Sequence, residues 1–446
     1  MVIEALKDRC RQQKRSKLPY LMGDKNGILC AMNPEAKPPV TSFNELGIST
    51  TFLNILDKMK FTVPTPIQHQ AIPIAIQGKD IIGIAQTGTG KTLAFGIPML
   101  QQLAAGKGRG LVVVPTRELA DQVEKSLHAF AAAVGIHTAV FVGGASYNLQ
   151  RAMLRRNPRI LIATPGRLND HLEQGTVTLK EVTVLVLDEA DRMLDMGFKP
   201  QIDKILQYVP KERQTMLFSA TMPGDIVKLA THHMKLPLRI EVAPAGTTAA
   251  DVEQELIIVK KEEKLRLLEK VLTEFAGTAL VFSRTKHGAK KIARSVRAMG
   301  HTAAEIHSNR SLAQRREALE GFKTGRYRVL IATDIAARGI DVTGIAVVVN
   351  FDLPQAAEDY VHRIGRTARA GLAGHAISFA CPDQSSEIRS IERLIRGTLK
   401  KRPLPQLPPA RAVAHEPDAR PDRNYSPNRG ARPARGGQQQ RRRFSR

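Results

Sequence analysis

The chain has 446 residues, enough for about two to four domains and for sizeable buried cores. It is 42% hydrophobic, which excludes a wholly disordered protein, and no run approaches the ~18 to 20 apolar residues of a membrane span. Lys and Arg number 67 against 42 Asp and Glu, a net charge of +25, so the expected partner is a polyanion: nucleic acid, ahead of an anionic membrane.

Residues 1–40 are basic, without a repeating apolar pattern, and read as an irregular N-terminal extension. Charges at Glu4, Lys7, Asp8, Arg9 and Arg11 stand where a secretory leader would be apolar. Met32 is a second candidate start. Residues 41–243 alternate short apolar runs with helix-length segments. The runs are Asp80–Ala85, Gly110–Val114, Arg159–Ala163, Val182–Leu187 and Thr215–Phe218. Such runs predict buried parallel strands in an α/β domain. Residues 244–251 are small and breaker-rich, and read as a linker. Residues 252–398 repeat the pattern, with runs at Ala279–Phe282, Val329–Ala332, Ala346–Val349 and His375–Phe379. RILIAT at 159–164 and RVLIAT at 328–333 hint at duplication.

Residues 399–446 read as a disordered basic tail. From 401 on they hold 8 of the 26 prolines and 12 basic against 3 acidic residues, a net of +9, with little apolar surface to bury. Three scattered cysteines, Cys10, Cys30 and Cys381, make neither a disulfide frame nor a zinc ribbon, so a cytoplasmic protein is expected. Tryptophan is absent and aromatics are 4%, which favours the nucleic-acid backbone over stacked bases as the handle.

Residues 85–92 (AQTGTGKT) follow a strand-like run and precede a helical pattern. Glycines let successive N–H groups face an anion, and the helix N-terminus adds its dipole. Lys91 is then expected on the β/γ-phosphates and Thr92 on Mg²⁺. Residues 184–191 (VLVLDEAD) place carboxylates at the C-terminal end of a buried strand, where open parallel sheets bind ligands. Asp188 suits Mg²⁺ through water, and Glu189 suits the attacking water. In the second half, residues 362–371 (HRIGRTARAG) cluster arginines without a phosphate loop of their own. Arg366 and Arg369 would act as arginine fingers on a nucleotide held between the halves, so hydrolysis would couple to domain closure.

Residues 188–191 spell DEAD, and from about Phe43 to Leu399 the sequence resembles the DEAD-box ATP-dependent RNA helicases, most of all the bacterial RhlE group. FTVPTPIQ at 61–68, PTRELA at 115–120, Gly143–Gly144, TPGR at 164–167, SAT at 219–221, VFSR at 281–284, residues 314–316 and ATDIAARGID at 332–341 appear in the family's order. The resemblance implies two RecA-like parallel-sheet domains in tandem, ATP and Mg²⁺ as cofactors, and single-stranded or short-duplex RNA as partner. It implies adenine recognition by Phe43, Phe61 and Gln68, with Gln68 on the adenine edge and Phe43 stacked on the ring. The phosphate loop would be Thr87, Gly88, Thr89, Gly90, Lys91 and Thr92, with Asp341 completing the nucleotide contacts. Asp191, Ser219, Thr221 and His362 would couple nucleotide to RNA. Arg117, Gly144, Thr164, Arg167, Arg284 and Thr333 would touch the RNA backbone. A monomer, with ribosomal-precursor or RNA-decay proteins as possible associates, is the family expectation. Lys60 and Ala368 stand where the family usually has glycine. A DNA translocase would share the phosphate loop and arginines. A non-catalytic RNA clamp would have lost Lys91, Glu189 or Arg366, and a transporter ATPase would carry an LSGGQ-like signature, which is absent.

Overall fold

The computed structural model describes residues 42–86, 88–242, 252–334, 342, 344–367 and 374–409, together with the backbone of 21–23 and 29–31. Two sheets organise them. The first has nine strands: β1 (Leu21–Gly23), β2 (Leu29–Ala31), β3 (Ile81–Ile84), β4 (Arg109–Val113), β5 (Thr138–Phe141), β6 (Ile160–Ala163), β7 (Val182–Leu187), β8 (Gln214–Ser219) and β9 (Leu238–Glu241). The second has seven: β10 (Val252–Ile258), β11 (Ala279–Phe282), β12 (Ala303–Ile306), β13 (Val329–Ala332), β14 (Val347–Asn350), β15 (Gly374–Ala380) and β16 (Lys400–Lys401). Apart from the β1–β2 hairpin every pairing is parallel. The physical reason is in the runs themselves. Segments such as IIGI on β3, ILIA on β6 and VLIA on β13 are buried at every position, and only a sheet covered by helices on both faces offers that environment. Separate apolar clusters fill the two faces of each sheet.

The strand orders show a duplication. The first sheet runs β9-β3-β8-β7-β4-β6-β5 beyond its hairpin, and the second, read from its other edge, runs β16-β10-β15-β14-β11-β13-β12. Each of the strands β3 to β9 therefore has its counterpart seven strands later. The similar hexapeptides fall on β6 and β13, which are counterparts. Both domains are the tandem RecA-like units expected.

Two expectations change. The N-terminal extension is not wholly irregular, because β1 and β2 form a hairpin whose second strand pairs with β9 at the sheet edge. The second domain also extends past 398. Leu399 is buried, Lys400 and Lys401 pair with Glu255 and Leu256, and Arg402 reaches Glu255 and Glu274 at 3.2 and 2.9 Å. Arg266 donates to the Pro408 carbonyl at 2.7 Å, and Leu407 packs on the core. The β16 strand is the counterpart of β9, so residues 399–408 finish the second sheet. The expected tail from 410 on, and the linker at 244–251, lie outside the described residues. Among the described residues no helix is long and apolar enough to cross a membrane.

Candidate nucleotide and RNA site

The phosphate loop joins β3 to the helix Lys91–Ala105. Gly88 and Gly90 hold φ of +88° and +87°, which side chains resist. A Cβ on Gly90 would sit 2.4 Å from the Gln68 side-chain nitrogen. Gln68 is 4% exposed. Its Oε1 accepts from the Thr65 N–H at 2.9 Å, and its Nε2 donates to the Gly90 carbonyl at 3.0 Å. The amide thus braces the loop and still keeps one N–H and one lone pair for an adenine edge. Phe43 is buried at 4% exposure, whereas Phe61 is 41% exposed, so Phe61 is the ring with a free face. Lys91 is buried and donates to the Ala85 carbonyl at 2.9 Å; Thr89 donates to Gln86 at 2.7 Å. Thr92 follows Lys91 in the first turn of the helix. Thr87 lies outside the described residues.

Asp188 and Glu189 leave the end of β7. Asp188 is fully enclosed, and its Oδ1 accepts from the Glu189 N–H at 3.0 Å. Burial pushes its pKa up to about 6, with Lys91 opposing and Glu189 and Asp191 adding to the rise. Glu189 sits in the left-handed region at φ +53°, a conformation that long side chains rarely adopt and that marks stored strain. Burial raises its pKa too, but Arg192, Lys91 and Arg366 together outweigh burial and keep it below the usual carboxylate range. Sequence reasoning did not single out Arg192. Its guanidinium is 2% exposed and meets Glu189 Oε2 at 2.6 Å. The i, i+3 spacing on a helix was the available signal.

The coupling residues converge. Asp191 Oδ2 accepts from the Ala220 and Thr221 N–H groups and from Thr221 Oγ1, at 3.0, 2.9 and 2.9 Å. The Asp191 N–H donates to Ser219 Oγ at 3.3 Å. Residues 219–221 therefore hang from the DEAD segment by one carboxylate. His362 lines a small space with Arg192, Asp334, Arg363 and Arg366, and its carbonyl accepts from Arg366 Nε at 3.2 Å.

Arg366 is buried on the second domain, yet its charge acts on Glu189 of the first. The two domains touch elsewhere as well. Arg315 Nε lies 2.9 Å from Glu118 Oε1, and Arg316 grips Asp121 through two 2.8 Å hydrogen bonds. Three arginines at 363, 366 and 369 look alike in sequence, but the structure separates the first of them. Arg363 is a brace: it donates to both Asp334 oxygens at 2.6 and 2.8 Å and to the Asp352 carbonyl at 2.6 Å. Arg369 and Asp341 lie outside the described residues.

On the face carrying the other motifs, Arg117 lies over Gly143 and Gly144. A Cβ at Gly144, whose φ is +77°, would be 2.3 Å from the Arg117 guanidinium, so glycine is required there. Arg167 donates to the Ala145 carbonyl at 3.1 Å and lies 5.8 Å from the Tyr147 ring. Tyr147 in turn stacks on buried His171 at 4.3 Å, and His171 contacts Gln150 at 3.2 Å. Burial pulls the His171 pKa down to about 4, so this ring is neutral at pH 7. Tyr147, Gln150 and His171 are the supporting residues that motif reading passed over. Thr164 and Thr333 directly follow the counterpart strands β6 and β13, and Arg284 lies two residues past β11.

Residues 65–229 match the DEAD/DEAH box helicase family, and residues 263–371 match the helicase conserved C-terminal domain. The chain is 41% identical to the DEAD-box ATP-dependent RNA helicase CshA of Geobacillus kaustophilus over 82% of this chain and 79% of that one. It is 43% identical to the ATP-dependent rRNA helicase RRP3 of Debaryomyces hansenii over 84% of this chain and 79% of the relative. Saccharomyces cerevisiae Dbp5 bound to RNA and ADP BeF3 superposes with a TM-score of 0.75 at 29% identity, over 81% of this chain and 96% of that one. Mss116p bound to ssRNA and AMP-PNP gives 0.77 at 27% identity, over 83% and 81%. The matches span bacterial and fungal proteins, so they speak to family rather than subgroup. This chain belongs to the DEAD-box ATP-dependent RNA helicase family.

Proposed function

We propose that this protein couples ATP binding and hydrolysis to local unwinding of short RNA duplexes, or to remodelling of RNA–protein complexes, without sequence preference. The observation that carries the reading is geometric: Arg192, which holds Glu189 at 2.6 Å, lines one small space with His362 and Arg366 of the second domain. A site completed only when the domains meet ties hydrolysis to closure. RNA touching both domains favours the same closed state, so RNA and ATP strengthen each other's binding.

Each residue then has a task. Phe61 stacks on the adenine and Gln68 reads its edge. Gly88, Thr89, Gly90 and Lys91 hold the phosphates, Glu189 orients the attacking water, and Arg366 neutralises charge on the transferring phosphoryl group. Thr92 and Asp188 would hold Mg²⁺, Asp188 through water. The donor set fits, because a buried carboxylate flanked by Glu189 and Asp191 gains from a cation. A bound divalent ion supplies charge neutralisation on the phosphates. Arg117, Gly144, Thr164, Arg167, Arg284 and Thr333 supply guanidinium, hydroxyl and close backbone contacts, which suit phosphates rather than base edges. The RRP3 relative is named an rRNA helicase, which favours ribosomal-precursor RNA among the targets. The reading includes a monomeric, cytoplasmic protein.

Unwinding yield against duplex length tests it. Local bending of one strand separates short duplexes and fails on those of several tens of base pairs. Equal yields at both lengths would mean translocation instead.

A further inference from the structure

The strand correspondence places a second Lys and Asp where the first domain keeps its phosphate-site pair. Lys91 is the first residue of the helix after β3, and Lys264 is the first residue of the helix after β10, the counterpart strand. Asp188 follows β7, and Asp352 follows β14, again its counterpart. The second pair is joined: Lys264 Nζ lies 3.2 Å from Asp352 Oδ1 and donates to the Phe351 carbonyl at 2.8 Å. The segment before Lys264 reads VKKEE at 259–263, with two glutamates and no glycine, and Lys261–Glu263 already wind into a 3-10 turn, so it offers no cradle for phosphate.

The pair does something else. While Asp352 Oδ1 faces Lys264, its Oδ2 accepts from the Arg284 N–H at 3.1 Å and from Ser283 Oγ at 3.4 Å. The Arg284 guanidinium leans on the same segment, donating to the Leu353 carbonyl at 3.2 Å. One carboxylate thus ties the end of β11 to the end of β14 and to a lysine that is only 3% exposed. A buried ammonium without its partner is costly, so the arrangement pins the loop firmly.

We propose that Lys264 and Asp352 are positioning residues for RNA: the pair fixes the Ser283–Arg284 loop and so aims the Arg284 guanidinium at a backbone phosphate. The inference rests on Arg284 being an RNA contact, as proposed above. The counterpart positions that place Lys91 and Asp188 at the nucleotide in the first domain here hold a joined pair beside the loop that faces the polynucleotide.

The test is a double-mutant cycle on the full chain, with poly(U) RNA as probe and ATP hydrolysis as readout. Lys264→Met keeps length and apolar bulk but removes the charge. It is expected to raise the RNA concentration for half-maximal ATPase by roughly five- to tenfold, in line with loss of a charged hydrogen bond. Maximal turnover should stay within about twofold, a split that general loosening of the fold would not give. Arg284→Ala should raise the same parameter, and the double variant should add little beyond the larger single effect. If Arg284→Ala raises it but Lys264→Met does not, or if the two effects add fully, positioning is overturned while the RNA contact stands. If Arg284→Ala has no effect, the RNA contact itself is wrong and the inference falls with it. Should Lys264→Met not fold, Asp352→Asn, which keeps the side-chain shape, is read in the same cycle with the same outcomes.

Discussion

Residues 85–90 of the first domain and 259–263 of the second connect counterpart strands to counterpart helices, yet they read AQTGTG and VKKEE. The first can curl its N–H groups around phosphate, with Gly88 and Gly90 at positive φ. The second cannot. Both helices nevertheless open with a buried lysine, and in both domains an aspartate follows the strand two places along the sheet. The difference shows how one scaffold divides a reaction. In the proposed mechanism the domain with the glycine loop holds the nucleotide and the water-orienting carboxylate. Its twin would contribute a buried arginine and a braced loop that faces RNA. Neither half has a complete site, which is why contact between them matters.

The largest effect should come from the first domain's side of that division. Glu189→Gln keeps size and hydrogen-bonding capacity but loses charge, so turnover should fall by about 10² to 10⁴ while ATP and RNA still bind. Steady-state ATPase with parallel binding titrations reads this out, and near-wild-type turnover would remove Glu189 from its role. A smaller effect is expected at the base-reading end. Guanine presents the opposite donor and acceptor pattern to Gln68, so ATP should exceed GTP by about tenfold or more in kcat/KM. Gln68→Ala should narrow that ratio and also weaken ATP binding, because the amide braces Gly90. Equal use of GTP by the unaltered protein would contradict the assignment.

The smallest effect concerns the end of the chain. Because residues 399–408 complete the second sheet, a clean deletion removes 410–446 only. Those residues are basic, and we expect them to tether RNA through phosphates. Deleting them should raise the RNA requirement at low salt and leave maximal turnover intact. Each lost phosphate contact should also shallow the slope of log affinity against log salt by about 0.7. An unchanged slope would show that this segment does not touch RNA.

The fold and the nucleotide site were legible in the sequence to different depths. Central strands announced themselves, since IIGI, ILIA, VLIA and VVVN are apolar throughout and buried throughout. The strands β5, β9, β10, β12 and β16 escaped notice. Their segments (TAVF, LRIE, VEQELII, AAEI and KK) are interrupted by polar residues or are too short, as strands at or near a sheet edge tolerate. Glycines, carboxylates and arginines with their own chemistry were visible as motifs. Residues that act through others were not. Arg192, Arg363, His171, Lys264 and Asp352 take their meaning from partners far along the chain or across a turn, and only folding reveals which partner each one meets. The sequence put Phe43 on the adenine ring, but Phe43 is buried at 4% exposure while Phe61 is 41% exposed, so the proposed stacking role moves to Phe61.

The central claim is that the first domain's nucleotide chemistry needs the second domain's Arg366. RNA-saturated ATP turnover of Arg366→Ala, measured beside its ATP affinity, tests this most directly. An arginine acting on the transferring phosphoryl group should cost roughly 10³-fold or more in turnover when removed, with ATP affinity changed far less. Turnover within a few-fold of the unaltered protein would contradict the account, because the carboxylate and lysine of the first domain would then suffice alone.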